Sequence, residues 1–166
     1  MTPTLPTPPA SPFTAEREAS LRRWLAPHAS RHGLDPASLA PASADASFRR
    51  YLRLTGAGGG SAVVMDAPPA LIACQPFLMM AERITASGLH VPEVLAADPE
   101  QGFVLMSDLG RRPYLDALRD DPGQGAERLM RDAIRALVHW QSHLDTSALP
   151  RYDDALLRRE LALFPE

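Results

Sequence analysis

With 166 residues, 45% of them hydrophobic, the chain falls in the size range of one domain and can bury an apolar core. Its formal net charge of -3 is spread along the sequence without a basic stripe, which argues against a nucleic-acid partner. All 17 basic residues are arginine, and the absence of lysine excludes both a Walker A phosphate loop and Schiff-base chemistry, each of which needs a lysine amine.

Residues 1–12 are rich in proline and threonine, lack the basic start and apolar stretch of a secretory signal, and read as a disordered tail. No apolar run approaches the roughly 20 residues that span a bilayer, and the lone Cys74 precludes an internal disulfide. A soluble, cytoplasmic protein with no membrane partner is expected. The first helix starts at Thr14, whose hydroxyl can cap it, with Glu16 and Glu18 in the first turn and Leu21, Trp24 and Leu25 on one face. Pro27 and Gly33 are expected to end it, leaving His28 and His32 in a loop that runs on through Pro36 and Pro41. Residues 48–54 alternate, with Leu52 and Leu54 on one side and Arg49, Tyr51 and Arg53 on the other, which is strand spacing. Glycines 56 and 58–60 then read as the turn of a hairpin into a second apolar strand at 62–65. They do not form a phosphate loop, because no helix follows them.

Pro76 opens a second helix carrying Phe77, Met80, Ala81 and Ile84 at helical spacing, closed by Gly88 and Pro92. Two more strands follow at 94–97 and 103–107, joined by a turn at 98–100. Beyond Leu109-Gly110 the pattern becomes helical: a short helix at 113–119, a long one with Ala126, Leu129, Met130, Ala133, Leu137 and Trp140 on its face, and a last piece at 155–163. Strands first and helices afterwards indicate an α+β fold.

The stretches Asp45-Ala-Ser-Phe-Arg-Arg-Tyr51, Val64-Met-Asp-Ala-Pro-Pro69, Val91-Pro92 and Leu105-Met-Ser-Asp-Leu-Gly110 resemble, in order and spacing, the aminoglycoside phosphotransferase family. Within it they look most like bacterial kinases that phosphorylate N-acetylmuramate and N-acetylglucosamine at the anomeric carbon. The resemblance implies a protein-kinase-like fold: a small antiparallel sheet lobe at 13–108, then a hinge and the first helices of a truncated helical lobe at 109–166, with ATP between them and magnesium as the metal. It also implies small-molecule partners, ATP and an amino sugar, in cell-wall sugar recycling. On that reading the turn at 44–47 stands in for the glycine-rich loop, with the Ser47 hydroxyl donating to phosphate. The third-strand lysine of protein kinases is matched by a position near Met65, and Arg49 or Arg50 is expected to supply the missing charge. Glu82 matches the helix glutamate that would pair with such a lysine, and a solvent-facing position is expected for it. Ser107, Asp108 and Leu109 correspond to the hinge whose backbone meets the adenine edge, with Asp108 also suited to capping a turn.

His139 and His143 stand four apart on one helix, but Trp140 rather than a glutamate lies between them and no third ligand is evident, so they are expected at a surface or interface rather than on a metal. His143-Leu-Asp145 imitates a kinase catalytic loop, yet five residues on stands Pro150 rather than the metal-binding asparagine, and asparagine occurs nowhere in the chain. The resemblance puts that loop beyond Glu166, so no catalytic residue is assigned within these 166 residues and the chain alone is expected to be inactive. Tyr152, Asp153 and Glu160 are expected in solvent near the acceptor side. Two rival readings stand beside the amino-sugar kinase: a non-catalytic kinase-like binding or regulatory module, and a kinase for another small acceptor such as an aminoglycoside or choline.

Overall fold

The computed structural model describes residues 11–42, 47–147 and 149–164. Most of the tail expected at 1–12 and most of the turn expected at 44–47 therefore lie outside the described residues. Helix α1 (Ala15–Arg31) is followed by a 3-10 turn (Pro36–Ser38) and a two-residue strand β1 (Ala40–Pro41). Next come the hairpin β2 (Arg50–Thr55) and β3 (Ser61–Asp66), helix α2 (Gln75–Ala86), and the strands β4 (Val94–Asp98) and β5 (Phe103–Ser107). Helices α3 (Tyr114–Asp120), α4 (Gln124–His143) and α5 (Asp154–Leu161) complete the chain. The five strands form one sheet in the order β1-β2-β3-β5-β4, antiparallel at every pairing.

The apolar runs of β3 and β5 follow from their central place, because each strand is buried on both faces. On one face Leu21, Leu25 and Ala29 of α1, spaced one helical turn apart, pack on Leu52, Leu54, Val64, Phe103 and Leu105. On the other face Met65, Val104 and Met106 pack with Cys74 and with Phe77 and Leu78 of α2. Each fully buried leucine contributes about 1.5–3 kcal/mol over an exposed one. Thr14 caps α1 as expected, accepting from the Arg17 N–H.

Pro27 does not end α1. The helix continues through it to Arg31, and Gly33, at φ +66°, follows the C-cap. Pro27 sits on the exposed side, so its missing N–H interrupts the helix only where water can satisfy the freed carbonyl. Buried Leu25 and Ala29 hold the helix together on either side of it. In consequence His28 lies within the helix, its ring 5.0 Å from that of Trp24, and His32 is the C-cap.

The turn between β4 and β5 needs a glycine. Gly102 has φ +75°, and its carbonyl accepts from the Ala67 N–H at 2.9 Å, an approach so close that a Cβ there would meet the Ala67 carbonyl. Helix α4 meets the end of α2 through His139, whose Nε2 lies 2.6 Å from the Ser87 carbonyl oxygen and whose ring stacks on His143 at 4.1 Å. The histidine pair is thus part of a helix contact. Met130, Ile134, Leu137 and Val138 of α4 remain exposed.

Among the described residues one charged side chain lies wholly inside. Asp66 is fully buried at the end of β3, with one carboxylate oxygen accepting from Arg17 Nε at 2.8 Å and the other from Arg50 Nε at 2.8 Å. Arg50 also donates to Glu18 at 2.7 Å and lies over the Phe13 ring, while Arg17 donates to the Gln101 carbonyl at 2.9 Å and lies over Phe103. Helix α1, both strands of the hairpin and the β4–β5 turn are thereby joined. A buried carboxylate is tolerable only when its oxygens are paired, and removing one member of such a set leaves the others desolvated and uncompensated. Replacing Asp66 with alanine should lower the unfolding free energy by about 3–5 kcal/mol. Arg17→Ala should cost less, because Arg50 still holds the carboxylate. Urea unfolding followed by far-UV circular dichroism measures both.

Candidate functional site

Opposite α1, the sheet carries a groove of about 570 Å³ between its inner face and the chain leaving β5. Tyr51, Val63 and Met106 supply its apolar floor, and Ser107 to Gly110 form one wall. Strand alternation explains the floor. Arg50, Leu52 and Leu54 point toward α1, so Tyr51 and Arg53 point the other way, beside Met65 and Val63 of the paired strand.

The wall is fixed by charge. Arg53 donates from Nε to Asp108 at 2.6 Å and from its terminal nitrogen to the other carboxylate oxygen at 3.0 Å. Ser61 Oγ donates to Asp108 at 2.7 Å, and the Gly110 N–H donates to it at 3.0 Å. The Arg53 hydrogen bonds hold the Asp108 carboxyl far below the usual carboxylate range despite the opposing effect of burial, and the Ser61 and Gly110 donors add to this. The same pairing raises the Arg53 guanidinium. Ser107 ties the wall to the neighbouring strand: its N–H donates to the Glu93 carbonyl and its hydroxyl accepts from the Glu93 N–H, each at 2.8 Å.

The residues singled out in the sequence divide by face. Arg50 lies on the α1 side, held by Asp66 and Glu18. Arg49 lies on the inner side, near the Cys74 thiol, which burial pushes up and the Arg49 charge draws back down. Its Nε is enclosed yet has no hydrogen-bond partner among the described residues. Met65 is fully buried in the inner core, so the third-strand position is packed with side chain and not open to a ligand. Glu82 is exposed on α2 and makes no ion pair among the described residues. Ser47 is exposed, its hydroxyl accepting from the Arg49 N–H at 3.2 Å. Leu109 is 57% exposed beside the groove, and its backbone N–H and carbonyl have no partner among the described residues.

Ser107, Asp108 and Leu109 thus come together with Arg53 and Ser61, whereas Arg50 and Met65 fall away from the groove. The Arg53–Asp108 pair escaped sequence reading because 55 residues separate its members. Asp66 left a signal, a lone acid at the end of the apolar run 62–65, which in a strand buried on both faces demands a buried cation. Among the described residues no group of three His, Cys, Asp or Glu side chains is placed to hold a metal ion. No helix among them is long and apolar enough to cross a membrane.

Residues 38–166 match the model of the phosphotransferase enzyme family. The chain is 53% identical over 131 residues to the N-acetylmuramate/N-acetylglucosamine kinase of Pseudomonas aeruginosa, covering 79% of this chain and 38% of that protein. It is 50% identical over 129 residues to the protein of the same name from Pseudomonas putida, covering 78% and 37%. To that of Neisseria meningitidis serogroup B it is 38% identical over 152 residues, covering 91% and 44%. The chain thus spans about two-fifths of the length of these curated relatives.

The depressed Asp108 pKa sets a pH dependence. A group held below its unfolded value, about 3.9 for aspartate, adds stability that is complete above that value and is lost as pH falls toward the folded one. The stability difference between the parent chain and Asp108→Asn should therefore stay constant from neutral pH to about pH 4 and shrink below it, as urea titrations at stepped pH would record.

Proposed function

Because this chain belongs to the phosphotransferase enzyme family, we propose that it forms the nucleotide-binding part of an ATP-dependent kinase for an N-acetylated amino sugar, N-acetylmuramate or N-acetylglucosamine. Residues 13–108 act as the nucleotide lobe, and residues 109–166 as the hinge and the start of a helical lobe. The observation that carries this reading is the groove: an apolar floor and, at its wall, a backbone amide and carbonyl of Leu109 without partners among the described residues. A flat heteroaromatic base needs those two features, surfaces to stack against and a donor and acceptor on one edge.

The sidedness of β2 gives the phosphates a direction. Arg53 lies on the inner face of β2, and Arg49 stands immediately before the strand begins. With the base at the Asp108 end, the phosphates run toward Arg49, whose Nε has no hydrogen-bond partner among the described residues. A guanidinium binds phosphate oxygens through two parallel hydrogen bonds and carries the charge that Met65 cannot. Such a group orients the nucleotide and neutralises its phosphates, which is most of what a phosphoryl-transfer site asks of its protein. Magnesium, when bound with ATP, would share that neutralisation. The names of the relatives support an amino sugar as acceptor; a cytoplasmic place in the recycling of cell-wall sugars is part of the proposal.

A chimera tests this directly. Residues 38–166 would replace the matching stretch of the Pseudomonas aeruginosa kinase, and phosphate transfer from ATP to N-acetylmuramate would be assayed alongside the 166-residue chain alone. The chimera should turn over with a KM for ATP within about tenfold of the parent kinase, a difference of some 1.4 kcal/mol. The chain alone should not turn over. A folded chimera that neither binds ATP nor transfers phosphate would contradict the proposal.

A further inference from the structure

The segment that leaves β5 has a built-in support whose cost is out of proportion to a surface loop. The Asp108 side chain is 4% exposed and that of Arg53 13%, so both charges are largely out of water. Their pairing is not confined to each other. The Gly110 N–H donates to Asp108 at 3.0 Å, and the Gly110 carbonyl accepts from Arg53 at 3.0 Å. Both backbone polar groups of Gly110 are thus consumed by one ion pair. Gly110 reaches them only at φ +106°, a conformation that side-chain-bearing residues rarely adopt. Ser61, opposite the β5 end in the sheet, closes the arrangement through its hydroxyl.

Leu109 is the residue left over. It is bridged on either side, by Asp108 directly and by Gly110 through its two hydrogen bonds, yet its own N–H and carbonyl point to no group among the described residues. A peptide clamped on both flanks and unpartnered in the middle is a preorganised recognition edge, because the ordering entropy is already met in the fold and not at binding. We propose that Arg53, Asp108 and Ser61 form a bracket that positions the Leu109 backbone for the base of the nucleotide, with Arg53 and Ser61 acting as positioning residues that do not touch the base themselves. This rests on the nucleotide reading given above and specifies how that site is held in shape. It also explains why a bidentate arginine stands at position 53, since only a planar fork can hold both carboxylate oxygens and still reach the Gly110 carbonyl.

The experiment compares ATP with adenosine, which keeps the base and lacks the phosphates. Calorimetric titration of the full chain and its Arg53→Gln and Ser61→Ala variants with each ligand gives the affinities, and amide hydrogen exchange reports the order of residues 108–110. Arg53→Gln should weaken ATP and adenosine alike, by about tenfold, the loss expected for a charged hydrogen-bond pair. Ser61→Ala should weaken both by a smaller common factor. Exchange should accelerate at Gly110, whose N–H donates to Asp108, while amides of β3 and β5 keep their protection. Unchanged affinities in a folded Arg53→Gln variant, a loss for ATP alone, or acceleration spread evenly over the sheet would each overturn the bracket. A parent chain that binds neither ligand overturns it together with the nucleotide reading. A chain that binds ATP while the chimera phosphorylates no amino sugar leaves the bracket to stand and removes only the acceptor.

Discussion

The buried carboxylate of Asp66 is the constraint on which the rest of the structure depends. It lies at the end of β3 without access to water, and Arg17 and Arg50 between them satisfy both of its oxygens. Removing a carboxylate from water is expensive unless its partners are in place, so helix α1 and strand β2 cannot shift relative to β3 without exposing that cost. The pairing therefore fixes more than stability. It sets the rotation of β2 about its own axis, with Arg50 and the leucines toward α1 and Tyr51 and Arg53 toward the inner face.

The strand begins at Arg50, so of the two adjacent arginines only Arg50 has its face fixed by the ladder. Arg50 is used by Asp66 and Glu18, while the enclosed Arg49 Nε has no hydrogen-bond partner among the described residues. The buried Met65 completes the division. Where a kinase-like sheet would carry a lysine, this one extends its core.

The α+β fold was legible in the sequence because its signals are local. Alternation in 48–54, the glycine-rich turn and the helical spacing after Pro76 each depend on residues a few positions apart, and the hairpin strands and α2 formed within about two residues of their expected bounds. The two-residue strand β1 was not legible, since so short a segment carries no period. Pro27 misled because a proline's effect depends on which side of the helix faces water, a tertiary fact. The candidate site was legible in part. The segment 107–109 stood out by its resemblance, but the partners that shape it, Arg53 and Ser61, are joined to Asp108 only by folding. Sequence order holds no record of which face an ion pair occupies.

On the nucleotide reading the two adjacent arginines have separate duties, Arg49 binding phosphate and Arg50 holding the fold. ATP titration of Arg49→Gln beside Arg50→Gln, each with its thermal unfolding recorded, tests it most directly. Arg49→Gln should lose about tenfold or more in ATP affinity, as expected for a charged hydrogen bond, with its melting temperature retained. Arg50→Gln should melt earlier while its folded form binds ATP as the parent does. Equal ATP affinity in Arg49→Gln and the parent, or a loss confined to Arg50→Gln in its folded state, would contradict the account.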